Sequence, residues 1–188
     1  MSFDPLPTFD TMQGNYPTGG SPDVLKALFP SQDTSWISNT CVIRLSESLG
    51  LSGKPIPRPT VVDHGVTVMQ SAGDPPHHRA GLHVFRGTTT NRWYAFRVRE
   101  MIPYLTARFG PPTIVDDTPS ATNRRAKFAG KVGLIAFEIH FSDATGHMDL
   151  WDGADFNMEP DPSTGHDYFV MASKIMLWVL TRSSSVAP

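Results

Sequence analysis

Cys41 is the one cysteine of the 188-residue chain, so its thiol has no intramolecular disulfide partner. Thr40 is placed to cap a helix over Cys41 to Leu49, in which Val42, Leu45 and Leu49 recur at helical spacing and Gly50 stands where a C-terminal cap belongs. A thiol in the first turn of a helix meets the partial positive charge of unpaired peptide N–H groups, which lowers its pKa and favours the nucleophilic thiolate. The same amides are suited to hold an oxyanion. A thiolate catalyst also needs an imidazole to protonate its leaving group, and histidines stand at positions 64, 77, 78, 83, 140, 147 and 166. His147 is the best placed of them. It opens the strand-like run His147-Met148-Asp149-Leu150-Trp151 between Gly146 and the turn pair Asp152-Gly153, so sheet geometry sets its ring.

A third residue must orient that imidazole, and Asp155 and Asn157, just past the turn, are the choices. Register decides between faces. In a minimal hairpin with Asp152-Gly153 at the turn, Met158 faces His147; one extra turn residue brings 155, 157 and 159 to that face instead. A working site demands the looser turn. There Asn157 lies across from position 149, nearer to His147 than Asp155, and its amide oxygen is suited to accept an imidazole N–H. Asn157 is the preferred reading and Asp155, with the better charge, the alternative.

The elements around these residues read as an α+β domain, with helices first and antiparallel strands afterwards. Residues 1–20, rich in Pro, Gly, Thr and Asp, suit an extended arm over the surface of a single domain at 21–182, with a tail at 183–188. Short helices are expected from Ser21, as N-cap, to about Phe29, and from about Arg99 to Phe109. The stretch from Leu51 to Thr90 reads as a long loop broken by one strand-like piece, Gly65 to Met69. Strands are expected at Trp93 to Val98, Thr113 to Val115, Val132 to Ile139, Gly146 to Trp151, Tyr168 to Met171 and Lys174 to Leu180.

Sixteen Lys+Arg against eighteen Asp+Glu give a net charge of −2, so there is no positive field to gather nucleic acid or an anionic membrane, and neither is an expected partner. The N-terminus has no basic and apolar leader of the conventional export type, and the apolar run Ile175 to Leu180 is far too short to span a bilayer. His77-His78 with His83 lack the spacing of a structural zinc site, and neither metal nor cofactor is expected.

The segments Asn39-Thr40-Cys41-Val42-Ile43-Arg44-Leu45-Ser46 and Gly146-His147-Met148-Asp149-Leu150-Trp151-Asp152-Gly153 resemble the two signature motifs of the type VI secretion amidase effectors, fourth class. These effectors in turn resemble the NlpC-like and papain-like cysteine peptidases. Tyr94 to Leu105 and Gly130 to Leu134 also fit the family, in the same order, so the resemblance spans most of residues 20–180. It implies helices packed on an antiparallel sheet as a papain-like core, and an amidase that cuts peptidoglycan stem peptides between the γ-carboxyl of D-glutamate and meso-diaminopimelate. Cys41 carries over as nucleophile and His147 as base. It also implies action at a bacterial periplasm or cell wall, and a cognate immunity protein that plugs the cleft. The family has an Asp shortly after its Trp-Asp/Asn-Gly turn; this chain has Ala154-Asp155-Phe156-Asn157 there, and it lacks the cysteine pair that many members keep nearby. Arg44, one turn after Cys41, reads as a structural tie to a neighbouring loop. Two other readings stand beside hydrolysis: a different acyl transfer through the same thioester, and a non-catalytic module that binds cell wall or protein through the 51–90 segment.

Overall fold

The computed structural model describes residues 2–59, 61–63, 66–70, 81–118, 123–140, 145–158 and 167–183; the His77-His78 pair lies outside them. Their alternating apolar residues build two antiparallel sheets. The first is a meander of β1 (Val61–Asp63), β2 (Val66–Gln70), β3 (Gly81–Arg86) and β4 (Trp93–Ala95). The second holds β5 (Ile114–Asp116), β6 (Gly133–Glu138), β7 (Gly146–Trp151) and β8 (Lys174–Val179) in the order β5-β8-β6-β7. Strand β6 pairs on both sides, Ile135 opposing Asp149 on one ladder and Leu177 on the other, and β7 is left at the edge. Three strands thus occupy the segment read as a loop with one strand. Only β2 falls at the expected piece, because β1 and β3 carry Asp, His and Arg among their apolar residues and show no long clean alternation.

Five α-helices accompany the sheets: α1 (Phe9–Gly14), α2 (Ser21–Leu28), α3 (Cys41–Leu51), α4 (Val98–Phe109) and α5 (Tyr168–Met171). Helix α3 packs on both β4 and β7, and every residue from Cys41 to Leu49 is buried. A helix enclosed on all sides normally excludes polar residues, and the four here persist because each has partners. Arg44 gives its guanidinium to the carbonyls of Pro17 and Gly19 and to the Thr40 hydroxyl, at 2.7 to 3.0 Å, the structural tie expected of it. Ser46 donates to Val42 O and accepts Ala95 N–H; Ser48 donates to Met12 O. Glu47 receives the Arg92 guanidinium at 2.5 and 2.9 Å and the Tyr94 hydroxyl at 2.6 Å.

Residues 1–20 are not an extended arm. Thr8 caps α1, and Phe9 and Met12 are fully buried in the main core beside Leu45 and Leu49. Burying two large side chains stabilises this segment as part of the core, against the turn-forming preference of its Pro and Gly residues. Nor is Tyr168 to Met171 a strand: the Asp167 carboxylate accepts Phe169 N–H at 3.0 Å and turns the chain into α5. Gly50 lies inside α3, pressed on Arg92, and does not cap it.

Phe9→Ala is expected to destabilise the fold by about 3 to 5 kcal/mol, the usual cost of emptying a closed aromatic site. Urea unfolding measures it; a loss under about 1 kcal/mol would mean that α1 is only loosely docked.

Candidate active site

The open edge of β7 gathers the residues that sequence singled out. Leu150 O accepts Asn157 N–H at 2.9 Å, so the backbone groups of Leu150, and by the strand's period of two those of Met148, point away from β6. Met148 N–H reaches the Cys41 sulfur there, as does Val42 N–H from the first turn of α3. The Cys41 N–H itself is taken by the Asn39 carboxamide oxygen at 2.9 Å, which caps the helix where Thr40 makes no side-chain cap.

Leu150 N–H is met by the Asp149 carboxylate at 2.7 Å, whose other oxygen accepts Met158 N–H at 2.9 Å. The Tyr16 hydroxyl also donates to Asp149. Asp149 is fully buried, and burial pushes its carboxyl up to about 7, against the backbone and Tyr16 hydrogen bonds and the Arg44 charge that favour the anion. Sequence reading passed over both residues. The signal for Asp149 was a lone carboxylate amid apolar residues on the same strand face as His147; Tyr16, inside a Pro- and Gly-rich segment, gave none.

His147 pairs across the ladder with Phe137, and the glycine before it is required: at φ 150°, a Cβ on Gly146 would stand 2.1 Å from Phe137 O. The imidazole lies 4.5 Å from the Tyr168 ring at 31°, with the Phe156 ring edge-on at 6.5 Å. Its Nε2 is buried with no hydrogen-bond partner among the described residues. Burial alone pushes the imidazole down to about 4.

The thiol does not behave as its helix position predicts. Burial pushes Cys41 up to about 12, and the Asp149 charge adds to this, while the Met148 and Val42 amides and Arg44 act in the opposite sense. Desolvation in the interface between α3 and β7 outweighs the helix end. At neutral pH the resting site therefore holds a thiol and a neutral imidazole.

Asp155 and Asn157 are not brought to His147. The turn after β7 is longer than either expected form: Asp152 N–H donates to Asp155 O and Trp151 bridges Phe156, so Asn157 stands opposite Leu150 on the helix side of the sheet. There its amide oxygen accepts from Gln13 Nε2 at 3.2 Å, and the Asp155 carboxylate pairs with Arg125 at 3.5 Å. The four-residue turn presents Phe156 to the face of His147, while Met158 packs against the main core.

Asp149 and His147 give a signed pH dependence. Between about pH 4 and 7 the folded chain keeps the Asp149 proton that the unfolded chain has released, so this contribution to stability is lost as pH rises; between about pH 4 and 6.5 His147 acts in the reverse sense. Asp149→Asn removes the first contribution only. From pH 5 to pH 8 its stability in urea is expected to improve relative to the unsubstituted chain by about 1 to 3 kcal/mol; parallel profiles would show that the carboxyl ionises normally.

The family model of type VI secretion system (T6SS) amidase effector protein 4, Tae4, matches residues 37–178, a span that holds both Cys41 and His147. Among solved structures, Tae4 of Enterobacter cloacae in its complex with the immunity protein Tai4 is 26% identical, with a TM-score of 0.68 over 93% of this chain and 99% of that one. Tae4 of Salmonella typhimurium in complex with Tai4 from Enterobacter cloacae is also 26% identical, with a TM-score of 0.66 over 93% and 99% of the two chains. Tae4 of Enterobacter cloacae by itself gives 26% identity and 0.65 over 96% and 100%. No curated protein sequence matches. With the family model running from the loop before α3 into β8, and the fold shared over nearly the whole length, the chain belongs to the Tae4 family of type VI secretion amidase effectors.

Proposed function

We propose that the chain is a cysteine amidase with a papain-like core that hydrolyses the γ-D-glutamyl–meso-diaminopimelate bond of peptidoglycan stem peptides in a target bacterium. One observation carries the reading. In a chain of an amidase effector family, the sole thiol starts a buried helix at the open edge of the strand that bears His147.

In this mechanism the Cys41 proton passes to the His147 imidazole as Sγ attacks the amide carbonyl. A neutral pair is suited to this, because charge then develops only as substrate brings polar groups to the site. The Val42 and Met148 amides, which already point at the sulfur, stabilise negative charge as it forms there. His147 then delivers its proton to the departing amine of diaminopimelate, leaving D-glutamate held through its γ-carbon as a thioester. Water adds to the thioester with His147 as base and releases the acid.

Tae4 of each of the two bacteria is found in a complex with Tai4, and an immunity protein that covers the Cys41 cleft is proposed for this chain too. Among the described residues no helix is long and apolar enough to cross a membrane. Action on the cell wall of a target cell follows from the effector reading.

Muropeptides incubated with the full chain and separated by mass spectrometry are expected to lose mass at the γ-D-glutamyl–diaminopimelate bond. Cys41→Ala and His147→Ala, with circular dichroism unchanged, are expected to lower turnover by about a thousandfold or more. Turnover retained by folded Cys41→Ala rejects the cysteine mechanism. Cleavage elsewhere in the stem rejects the bond, and a transferred acyl group in place of the free acid selects the transferase reading.

A further inference from the structure

Among the described residues the Nε2 of His147 has no hydrogen-bond partner, and rings pack against the imidazole instead. Its Nε2 is enclosed, and neither Asp155, Asn157 nor any other described side chain accepts a hydrogen bond from it. Rings surround it. Phe137 opposes it across the ladder, Phe156 presents an edge, and Tyr168 lies at 4.5 Å with its ring tilted by 31°. The three rings also pack on one another, with centroids 5.7 Å apart for Phe137 with Phe156, 5.7 Å for Phe137 with Tyr168 and 6.0 Å for Phe156 with Tyr168. Their mutual contacts hold the ring that lies nearest to the imidazole, Tyr168, in place.

Resting on the amidase reading above, we propose that Tyr168 is the positioning residue of His147: its ring face fixes the imidazole plane and stabilises the imidazolium that forms when Cys41 gives up its proton. Tyr168 is suited to both tasks. Its ring is anchored by the Phe137 and Phe156 contacts, and it follows Asp167, whose carboxylate fixes the first turn of α5 by accepting Phe169 N–H at 3.0 Å. A cation over an aromatic face is attracted by the ring's negative centre, most strongly where water is excluded. The ring contact adds a surface that favours the charged imidazole.

The test uses the full chain with labelled histidine and two substitutions. In the unsubstituted protein the carbon-bound protons of the His147 ring are expected upfield from the Tyr168 ring current, with a nuclear Overhauser contact between the rings. Normal shifts without that contact overturn the proposal, whatever the variants do. Tyr168→Phe keeps the ring face and is expected to retain kcat within about threefold. Tyr168→Leu keeps an apolar side chain without the π face, and is expected to lose about tenfold in kcat with KM nearly unchanged and to lower the His147 pKa by about half a unit to one unit. A folded Tyr168→Leu with kcat and His147 titration unchanged also overturns the proposal, as does Tyr168→Phe failing as badly as Tyr168→Leu. If Tyr168→Leu does not fold, the ring-current measurement and Tyr168→Phe decide. The ring contacts and titration are read without substrate, so they stand apart from the Cys41→Ala result that decides whether the site is an amidase at all.

Discussion

An edge strand leaves a row of N–H and C=O groups that must find partners once helices bury it, and the site is made from the partners that β7 finds. Met148 N–H goes to the Cys41 sulfur, Leu150 N–H to the Asp149 carboxylate, and Leu150 O to Asn157 N–H. A fifth strand at this edge would satisfy the same groups and leave no room for a thiol. The ladder instead narrows from paired backbone at Leu150 to side chains at Met148, and the Cys41 thiol takes the place of a missing strand.

The position of Cys41 depends on α3 being immobile, and that follows from the polar residues buried along it. Arg44 ties the helix to the loop after α1, Ser48 ties it to α1, and Glu47 ties it through Arg92 and Tyr94 to the first sheet. Buried hydrogen-bonded groups of this kind specify one arrangement, because any slip of the helix leaves a charge or a hydroxyl without a partner at a cost of several kcal/mol for the charge. The apolar face alone, Val42, Leu45 and Leu49, would tolerate such slips.

Much of this was legible in the residues. Cys41 at a helix start, His147 at a strand start and the run Gly146 to Trp151 appear where the period and turn signals place them, because each is decided by neighbours in sequence. What was illegible is set by contacts distant in the chain. Helix α1 holds because Phe9 and Met12 reach the main core, which no local propensity reports. The turn after β7 takes four residues, where short hairpin rules offer two or three. The Asp152 carboxylate accepts both Ala154 N–H and Asp155 N–H and so stabilises the longer form, and that moves Asn157 and Asp155 to the wrong face. The thiol's pKa was misread for a related reason: the helix end is a local feature, whereas the desolvation that outweighs it comes from the sheet packed against it.

The neutral resting pair has a consequence for how such a site controls its reactivity. A thiolate–imidazolium pair is reactive toward any electrophile, whereas a thiol raised to about 12 beside an imidazole lowered to about 4 reacts only when something changes the surroundings of both. The Asp149 carboxylate adds to that restraint when it is charged, and its own raised pKa relieves part of the effect near neutrality. Tyr16 and Arg44, which face the carboxylate and the loop leading into α2, belong to the segment and helix that bury it. In the proposed mechanism the dipoles of a bound substrate at the β7 edge favour the ionic forms of Cys41 and His147 together, whereas removal of water alone opposes them. Ionisation then accompanies substrate entry and need not exist before it, so reactivity depends on the fit of the substrate as well as on the thiol.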